Sequence, residues 1–373
     1  MADQTERRAA ENQVGQAITV TGPIGPDQLG TTIMHEHLFL DLRKTHLPHV
    51  EMKFEEGRIF AEYTEEDVPA TDLAIWEAKI GLGNLDLARD TRPVADNYIL
   101  TDEALTKREV SEYKKHGGTT LCDVTSMGLK RDPLALRRVS EATGVNIVMG
   151  TGWYQKMFHP AQMDEWTVED IADAIVRDVT EGVGGTDVRA GIIGEIGVNG
   201  NPISPNETKS IRAAAQASVR TGAAVTVHKG GCGPDEMHQT LTTFAEEGLD
   251  LSRVVMGHSD MLADDLPFLE ELIDRGVTIE FDLMGREAAL VPSVTARVAE
   301  GIPKLLEKGH EDRLVLSHDV CWKVHLKHYG GFGYSYLLEK FLPHLRTVGV
   351  SEAQIDKMMV QNPKRILPLV SPQ

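Results

Sequence analysis

The stretch TTIMHEHLFLDL (residues 31–42) joins a short apolar run to two histidines that flank one glutamate. An apolar run of this length is typical of a strand that is buried on both faces of a sheet. Seven further runs of the same kind begin at residues 119, 146, 190, 223, 253, 277 and 313. The sequence therefore predicts eight buried strands.

Amphipathic segments separate these runs. Residues 168–182 (VEDIADAIVRDVTEG) and 207–222 (ETKSIRAAAQASVRTG) carry apolar side chains near positions i, i+3, i+4 and i+7, which is typical of a helix packed on one face. Strands that alternate with helices pair in parallel through right-handed crossovers, and eight such units close into a barrel. An open doubly wound sheet is the alternative, but no glycine-rich nucleotide-binding motif follows the first run. We predict the α/β class and a distorted (β/α)8 TIM barrel.

One segment interrupts the alternation of strands and helices. Residues 43–97 are rich in acidic side chains and contain no clear strand pattern. Long connections in compact domains are usually functional loops or form helices of their own. We expect a single domain over residues 1–373, with an insertion after strand 1 that lies near the barrel mouth. A solvated excursion without a function is the alternative.

The charge balance of the chain limits its partners. Lysine and arginine number 38 against 57 aspartate and glutamate residues, which gives a formal net charge of -19. That charge repels nucleic acid and anionic membranes, and no run of about 18 apolar residues is present. The first residues lack the apolar core of a signal peptide, and the three cysteines are far apart. We expect a cytoplasmic protein with a small-molecule partner, without nucleic-acid or membrane partners.

The two histidines of the opening stretch belong to a larger set. His35 and His37 are two positions apart on a predicted strand, so their side chains point to the same side. Alone, this pair also fits buried histidines that bond to backbone groups. Other ionisable residues stand at the carboxyl ends of later strands, and in a barrel these ends meet at one face. The set consists of His35, His37, Glu195, His228, His258 and Asp319.

This set of side chains favours a metal centre. Imidazole and carboxylate groups without thiolate suit zinc, with manganese, cobalt or iron(II) as alternatives. Six ligands exceed the needs of one tetrahedral zinc with an open position, so we predict two divalent ions with Glu195 as the bridge. Two such ions can hold a bridging hydroxide at neutral pH. Asp319 would then ligate an ion, orient the hydroxide and carry its proton to the leaving group. The predicted reaction is metal-assisted hydrolysis.

The chain also resembles a known family. TGPIGPDQLGTT, HEH, AGIIGEIG, VTVHKGG, VMGHSD, SHD, KHYGGFGYSYLLEKF and QNPKRIL look like motifs of the phosphotriesterase-related proteins of the amidohydrolase superfamily. The resemblance implies that His35, His37 and Asp319 bind the more buried ion. It also implies that His228 and His258 bind the outer ion.

The resemblance assigns the bridge to Glu195, whereas true phosphotriesterases have a carboxylated lysine in this strand, at the local position of Gly194. The chain is therefore similar to the branch known as phosphotriesterase homology proteins. This branch implies attack on the carbonyl of a lactone, a carboxylic ester or an amide, with phosphotriester hydrolysis as the second choice. A non-catalytic protein that binds a small molecule on the same barrel is the alternative from another class.

Further side chains near the predicted mouth are candidates for substrate binding. Tyr154, in a stretch that resembles the family's GTGYYQ, is expected to polarise a carbonyl or bond the bridging water. Lys229 and Arg286 offer positive charge for an acidic substrate group, although surface salt bridges are the alternative for both. The loop after Asp319 adds Lys323, His325 and Tyr329. Residues 211–219 (IRAAAQASV) permit a homodimer, the commonest oligomer.

Overall fold

The computed structural model of the protein describes residues 13–47, 50–55, 58–63, 68–89, 92–286 and 294–372. Its main sheet has eight strands, and each strand pairs in parallel with its neighbour in the chain. All eight predicted strands are confirmed. They are β1 (Thr32–Glu36), β2 (Thr120–Asp123), β3 (Asn146–Thr151), β4 (Ile192–Val198), β5 (Val225–Lys229), β6 (Val254–Met256), β7 (Thr278–Phe281) and β8 (Leu314–Leu316).

The first and last strands of the sheet meet through a side chain. The Ser317 hydroxyl, just after β8, accepts a hydrogen bond from the His35 backbone N–H at 2.8 Å, and its oxygen also lies 2.8 Å from the His35 carbonyl oxygen. The Asp319 backbone N–H donates to the same carbonyl at 3.1 Å. The sheet is thus nearly closed into the predicted TIM barrel, and the closure lies beside two of the predicted ligands.

Helices connect successive strands and cover the outside of the barrel. Most of them begin after a residue whose side chain accepts a backbone N–H of the first turn, such as Asp102, Asp132, Thr167, Ser204 and Asp265. The connecting helices are Glu103–Lys115, Pro133–Thr143, Val168–Thr180, Pro205–Thr221, Pro234–Glu246, Leu266–Asp274 and Val294–Glu307. Leu342–Thr347, Glu352–Asp356 and Asn362–Ile366 follow β8. In the described part of the chain, we find no helix with the length and apolarity that a membrane span requires.

Apolar side chains from around the sheet fill the interior of the barrel. They form a buried cluster that Ile366 and Leu367 of the C-terminal segment join. Strands on opposite sides of a barrel touch each other only through its interior, so this cluster is the barrel core. From the strands it contains Met34, Cys122, Val148, Ile192, Val255 and Val315.

The insertion after β1 differs from its prediction. Residues 43–97 contain an antiparallel hairpin of Val50–Glu55 and Arg58–Tyr63, where no clear strand was expected. The alternation in VEMKFE and RIFAEY is short and interrupted by charges, which weakens a period-two signal. Two helices follow the hairpin, Ala70–Glu77 and Leu85–Arg89.

The insertion packs on the segment that follows β8. Ala88 and Val94 form a small buried cluster with Val324. The ring of His46 also contacts that of Trp322 at 5.2 Å between centroids. These contacts place the described part of the insertion next to the loop that begins at Asp319.

Candidate metal centre

The six predicted ligands lie at the carboxyl ends of the strands and are all buried. They form two groups of three residues whose ligand atoms lie within 4.8 Å of one another. One group is His35, His37 and Asp319, and the other is Glu195, His228 and His258. The residues that sequence analysis selected are thus brought together by the fold.

Glu195, a member of the second group, also faces the first group. Its Oε2 is 3.2 Å from His35 Nε2 and 2.9 Å from His228 Nδ1, while its Oε1 is 3.4 Å from His37 Nε2. His258 Nε2 is 3.7 Å from Oε2. One carboxylate therefore faces imidazoles of both groups, as a bridging ligand does.

Within each group the ligand atoms converge. His37 Nε2 is 3.2 Å from Asp319 Oδ1, and His258 Nε2 is 2.7 Å from His228 Nδ1. Among the described residues, the buried Nε2 atom of His35 has no hydrogen-bond partner. A buried polar nitrogen without a partner is costly, and a divalent ion would satisfy it. The donor set of imidazoles and carboxylates without thiolate therefore fits such ions.

The environments of His37 and His258 favour positive charge on the imidazole, whereas burial lowers the pKa of His228. Burial alone would lower the pKa of His37, but its hydrogen bonds to Asp319 and Glu195 raise that pKa to about 9. Burial opposes protonation of His258 as well, yet Asp282 raises its pKa to about 10. Protons and metal ions compete for the same nitrogens, so the carboxylates that stabilise imidazolium here would also stabilise a bound cation.

Two further carboxyl groups orient the histidines, and sequence analysis did not select them. Asp282 contacts His258 Nδ1 at 2.8 Å and His35 Nδ1 at 3.1 Å. Glu280 lies 3.3 Å from the same His35 atom. Carboxylates in this position fix the ring orientation and tautomer of metal-binding histidines. The signal was the EFD sequence at the end of β7, where the two acids alternate as His35 and His37 do on β1.

The backbone adopts a left-handed conformation at two of the predicted ligands. His258 has a φ of 53° and Asp319 a φ of 49°, in the left-handed region that non-glycine residues rarely adopt. The carboxylate of Asp282 accepts the His258 backbone N–H at 3.0 and 3.1 Å. Such conformations cluster at functional sites, where the surrounding contacts hold them.

Asp319 has a second partner beside His37. Its Oδ2 accepts a hydrogen bond from Nη1 of Arg286, and the side chain is almost fully buried. Burial alone would raise the pKa of Asp319, but the charge of Arg286 and the hydrogen bond from His37 hold it below its usual range. The carboxylate is therefore ionised at neutral pH.

A model of the phosphotriesterase family matches residues 15–367. The chain belongs to the phosphotriesterase family. This membership confirms the predicted family and the predicted enzyme class, a metal-dependent hydrolase. The number and identity of the ions, the oligomeric state and the cytoplasmic location stay predictions.

Proteins similar to this family member include enzymes and a binding protein. The N-acetyltaurine hydrolase of Danio rerio is 34% identical over 364 residues, which cover 95% of this chain and 98% of that protein. A phosphotriesterase-related protein of Nematostella vectensis is 35% identical and covers 94% of this chain and 97% of its own length. The solved structure of a resiniferatoxin-binding protein from Rhodobacter sphaeroides has 37% identity and a TM-score of 0.84, covering 95% of both chains.

In this phosphotriesterase-family site, Tyr154 lies beside the second ligand group. Its hydroxyl is 3.2 Å from His228 Nε2, and its ring packs on Phe158 at 5.5 Å between centroids. Gln155, which sequence analysis did not select, places its Nε2 2.7 Å from the same His228 atom. These two side chains hold the imidazole whose other nitrogen faces Glu195.

The other predicted substrate-binding residues are spread around the mouth. Lys229 follows His228 on β5, so it lies on the opposite side of the strand, where its charge acts on the Cys232 thiol. Lys323 pairs with Asp96 of the insertion at 2.9 Å. This ion pair joins the loop after Asp319 to the insertion.

Two further candidates also make contacts within the protein. The ring of His325 stacks on Trp322 at 4.9 Å, and burial holds its pKa well below the usual value, so it is neutral. Tyr329 is partly buried, and its carbonyl accepts a hydrogen bond from Arg89 of the insertion. Of the six predicted substrate-binding residues, Tyr154 and Arg286 contact the ligand groups directly.

Proposed function

We propose that the protein is a binuclear metal-dependent hydrolase that attacks a carbonyl carbon, with an amide as the first choice and a lactone or carboxylic ester next. The observation that carries this proposal is the position of Glu195, whose two carboxylate oxygens face imidazoles of both ligand groups. The name of the N-acetyltaurine hydrolase from Danio rerio supports the amide.

The ligand groups divide between two ions. His35, His37 and Asp319 would hold one ion, His228 and His258 the other, and Glu195 would be shared. When bound, a pair of divalent ions polarises the substrate oxygen and makes water a nucleophile at neutral pH. Zinc is the first choice for this donor set, with manganese, cobalt or iron(II) as alternatives.

Asp319 is positioned to move the proton. Its two oxygens have different partners, His37 and Arg286, so the orientation of the carboxylate is fixed. An ionised carboxylate in this place accepts a proton from the attacking water and delivers it to the leaving nitrogen or oxygen.

Tyr154 acts on the other side of the site. Its hydroxyl lies near His228 of the second ligand group, where it can donate a hydrogen bond to the negative charge that develops on the carbonyl oxygen. Burial raises the pKa of Tyr154 well above its usual value, so the hydroxyl keeps its proton.

A second candidate function is binding without turnover. The similarity to a resiniferatoxin-binding protein favours it, because that name describes a ligand and no reaction. Binding alone does not require a buried carboxylate that is positioned for proton transfer, so Asp319 and its partners support the hydrolase. Phosphotriester hydrolysis ranks below the carbonyl substrates because the bridge is a glutamate.

The test is a hydrolysis assay with protein that has been stripped by a chelator and reloaded with zinc or manganese. The panel contains N-acetyltaurine, a lactone, a carboxylic ester and a phosphotriester, with the products quantified by mass spectrometry. We expect the reloaded protein, and not the stripped protein, to turn over a carbonyl substrate. Preference for the phosphotriester would contradict our ranking. Silence on the whole panel with ions bound would favour the binding protein.

A further inference from the structure

Arg286 is a cation held at the edge of the candidate metal centre. Its side chain is 16% exposed, and one guanidinium nitrogen donates to Asp319 Oδ2. The other terminal nitrogen donates to Cys321 Sγ at 3.4 Å, and the guanidinium carbon lies 5.2 Å from the centre of the Trp322 ring. The aromatic face and the carboxylate fix the position of the guanidinium from two sides.

The hydrogen-bonding capacity of this guanidinium exceeds what its neighbours use. A guanidinium has five N–H donors in a fixed fork. Among the described residues, Arg286 donates to one oxygen atom, that of Asp319. Its other partners, the Cys321 sulfur and the Trp322 ring, are weak acceptors. A largely buried cation with donors to spare suits a second, bidentate anionic partner.

The reaction places a defined part of the substrate next to Arg286. Asp319 passes its proton to the leaving atom, so that atom must come within hydrogen-bond reach of Asp319. Arg286 contacts the same carboxylate, whereas Tyr154 lies beside His228 on the other ligand group. Groups attached to the leaving atom therefore extend toward Arg286, and the carbonyl oxygen is directed toward Tyr154.

We propose that Arg286 recognises a sulfonate or carboxylate on the leaving group, so that the substrates are N-acyl derivatives of small amino acids or amino sulfonates. This inference rests on the proposed hydrolase function and specifies its substrate class. It also assigns Arg286 a binding role beyond its contact with Asp319. The products are a carboxylic acid and a free amine that carries the acidic group, with one water consumed.

The experiment compares charged substrates with a neutral substrate of the same shape. N-Acetyltaurine and N-acetyl-β-alanine carry the two anions, and the methyl sulfone analogue of N-acetyltaurine is the neutral partner. For the zinc-loaded protein, we expect kcat/KM to favour the charged compounds by about 30-fold or more, the range of charge-assisted hydrogen bonds. Arg286→Gln should reduce this ratio to below about 3-fold, and Arg286→Lys should restore part of it.

A matched control is available on the other side of the mouth. Lys44 lies over the ring of Phe158, which packs on Tyr154. Lys44→Gln removes one positive charge without touching Asp319, so we expect the charged-to-neutral ratio to stay within about 2-fold of the original protein. An equal fall of the ratio in both variants would indicate a general field effect and would contradict the proposal.

The same ratio of kcat/KM for charged and neutral substrates distinguishes anion binding by Arg286 from a role in positioning Asp319 alone. If Arg286 only held Asp319, Arg286→Gln would slow charged and neutral substrates equally and leave the ratio unchanged, which would overturn the proposal. A second readout is calorimetric binding of N-acetyltaurine to the zinc-loaded Asp319→Asn variant, with and without Arg286→Gln. We expect at least about 10-fold weaker binding without the guanidinium.

The binding readout also separates the two proposals. If no compound is hydrolysed but binding of the sulfonate depends on Arg286, the hydrolase proposal fails and the recognition of the anion stands. If hydrolysis occurs and sulfonate binding is the same with and without Arg286, the assignment of Arg286 is wrong while the hydrolase proposal stands. Discrimination between N-acetyltaurine and N-acetyl-β-alanine identifies the preferred acid.

Discussion

Two buried glutamates of the same barrel face have opposite surroundings. Glu36 lies on β1, and one of its oxygens accepts hydrogen bonds from the Ser317 hydroxyl at 2.8 Å, the His318 backbone N–H at 2.9 Å and the His318 ring at 2.7 Å. Its other oxygen accepts the Val320 backbone N–H at 3.0 Å. Glu195 on β4 instead faces ring nitrogens of four histidines. One of these nitrogens, His35 Nε2, has no hydrogen-bond partner among the residues that the structure describes.

The two glutamates show how the same residue types can serve the structure at one place and the candidate metal site at another. His318 donates from Nδ1 to Glu36 and accepts the Leu337 N–H at Nε2, so both of its nitrogens are satisfied by the protein. The Glu36 network is complete and joins β1 to the segment after β8. The Glu195 network leaves ligand atoms facing one another, and bound ions would complete it.

The largest effect should come from Asp319, the ligand that we also assign to proton transfer. Asp319→Asn keeps an oxygen for the ion but removes the proton acceptor, so we expect kcat to fall at least about 100-fold with metal content retained. Asp96→Asn is the control, because Asp96 is another acid at the mouth that pairs with a lysine. Activity assays and elemental analysis check both variants. Unchanged turnover in Asp319→Asn would rule out the proton-transfer role.

The next effect concerns the bridge. Glu195→Ala removes the carboxylate that faces both ligand groups, so we expect metal content to fall from two ions per chain to one or none. Glu207→Ala is the matched control, since Glu207 is buried and accepts backbone N–H groups after β4. That control should retain both ions in its folded fraction. Two tightly held ions in Glu195→Ala would mean that another residue is the bridge.

A substitution of Glu36 tests whether its hydrogen bonds serve stability and not metal binding. Glu36→Gln replaces an acceptor oxygen by an amide donor among four donors, so we expect the free energy of unfolding to fall by about 2 to 4 kcal/mol. The metal content of the folded protein should not change. Urea denaturation with and without chelator measures the first quantity, and elemental analysis measures the second. Loss of ions without loss of stability would reverse the roles that we give to Glu36 and Glu195.

A smaller effect is expected from pH. The pKa values of His37 and His258 are raised to about 9 and about 10, above the ordinary histidine value of about 6.5. In the chelated protein, protonation of these two histidines therefore contributes to the free energy of unfolding. This contribution is complete below a pH of about 6.5 and is lost as the pH rises through 9 to 10.

Bound ions would remove this dependence, because they keep the imidazoles unprotonated. We expect chelated protein to lose at least about 1 kcal/mol of unfolding free energy between pH 7.5 and 10, and zinc-loaded protein to lose less. Denaturation curves at several pH values make the comparison. Parallel curves for the two forms would show that the imidazoles do not bind the ions.

The sequence predicted the barrel and its ligands because both have strong local signals. Eight short apolar runs with helical connections define the topology, and residues such as His228 and His258 stand where the strands end. In a barrel these strand ends meet at one face, so the topology alone predicts that the residues lie close together, even when side-chain contacts are unknown.

Other features depend on contacts that a linear pattern does not contain. Asp282 and Glu280 sit in a strand whose acids alternate, but their role depends on which imidazoles cross the barrel to meet them. The ion pair of Lys323 with Asp96 could not be predicted, because Asp96 lies in the distant insertion. The small-residue helix that seemed to permit a homodimer is buried within the chain at Ala213, Ala214, Ala215 and Ala217, so these alanines offer no subunit surface.

Two bound ions would complete the set of contacts around Glu195. The decisive measurement is the metal content per folded chain, determined by elemental analysis after reloading with zinc and removal of loosely bound ions. We predict two ions per chain, held together so that chelation removes both and hydrolysis stops. A saturating content of one ion, or of none, would contradict the shared bridge at Glu195.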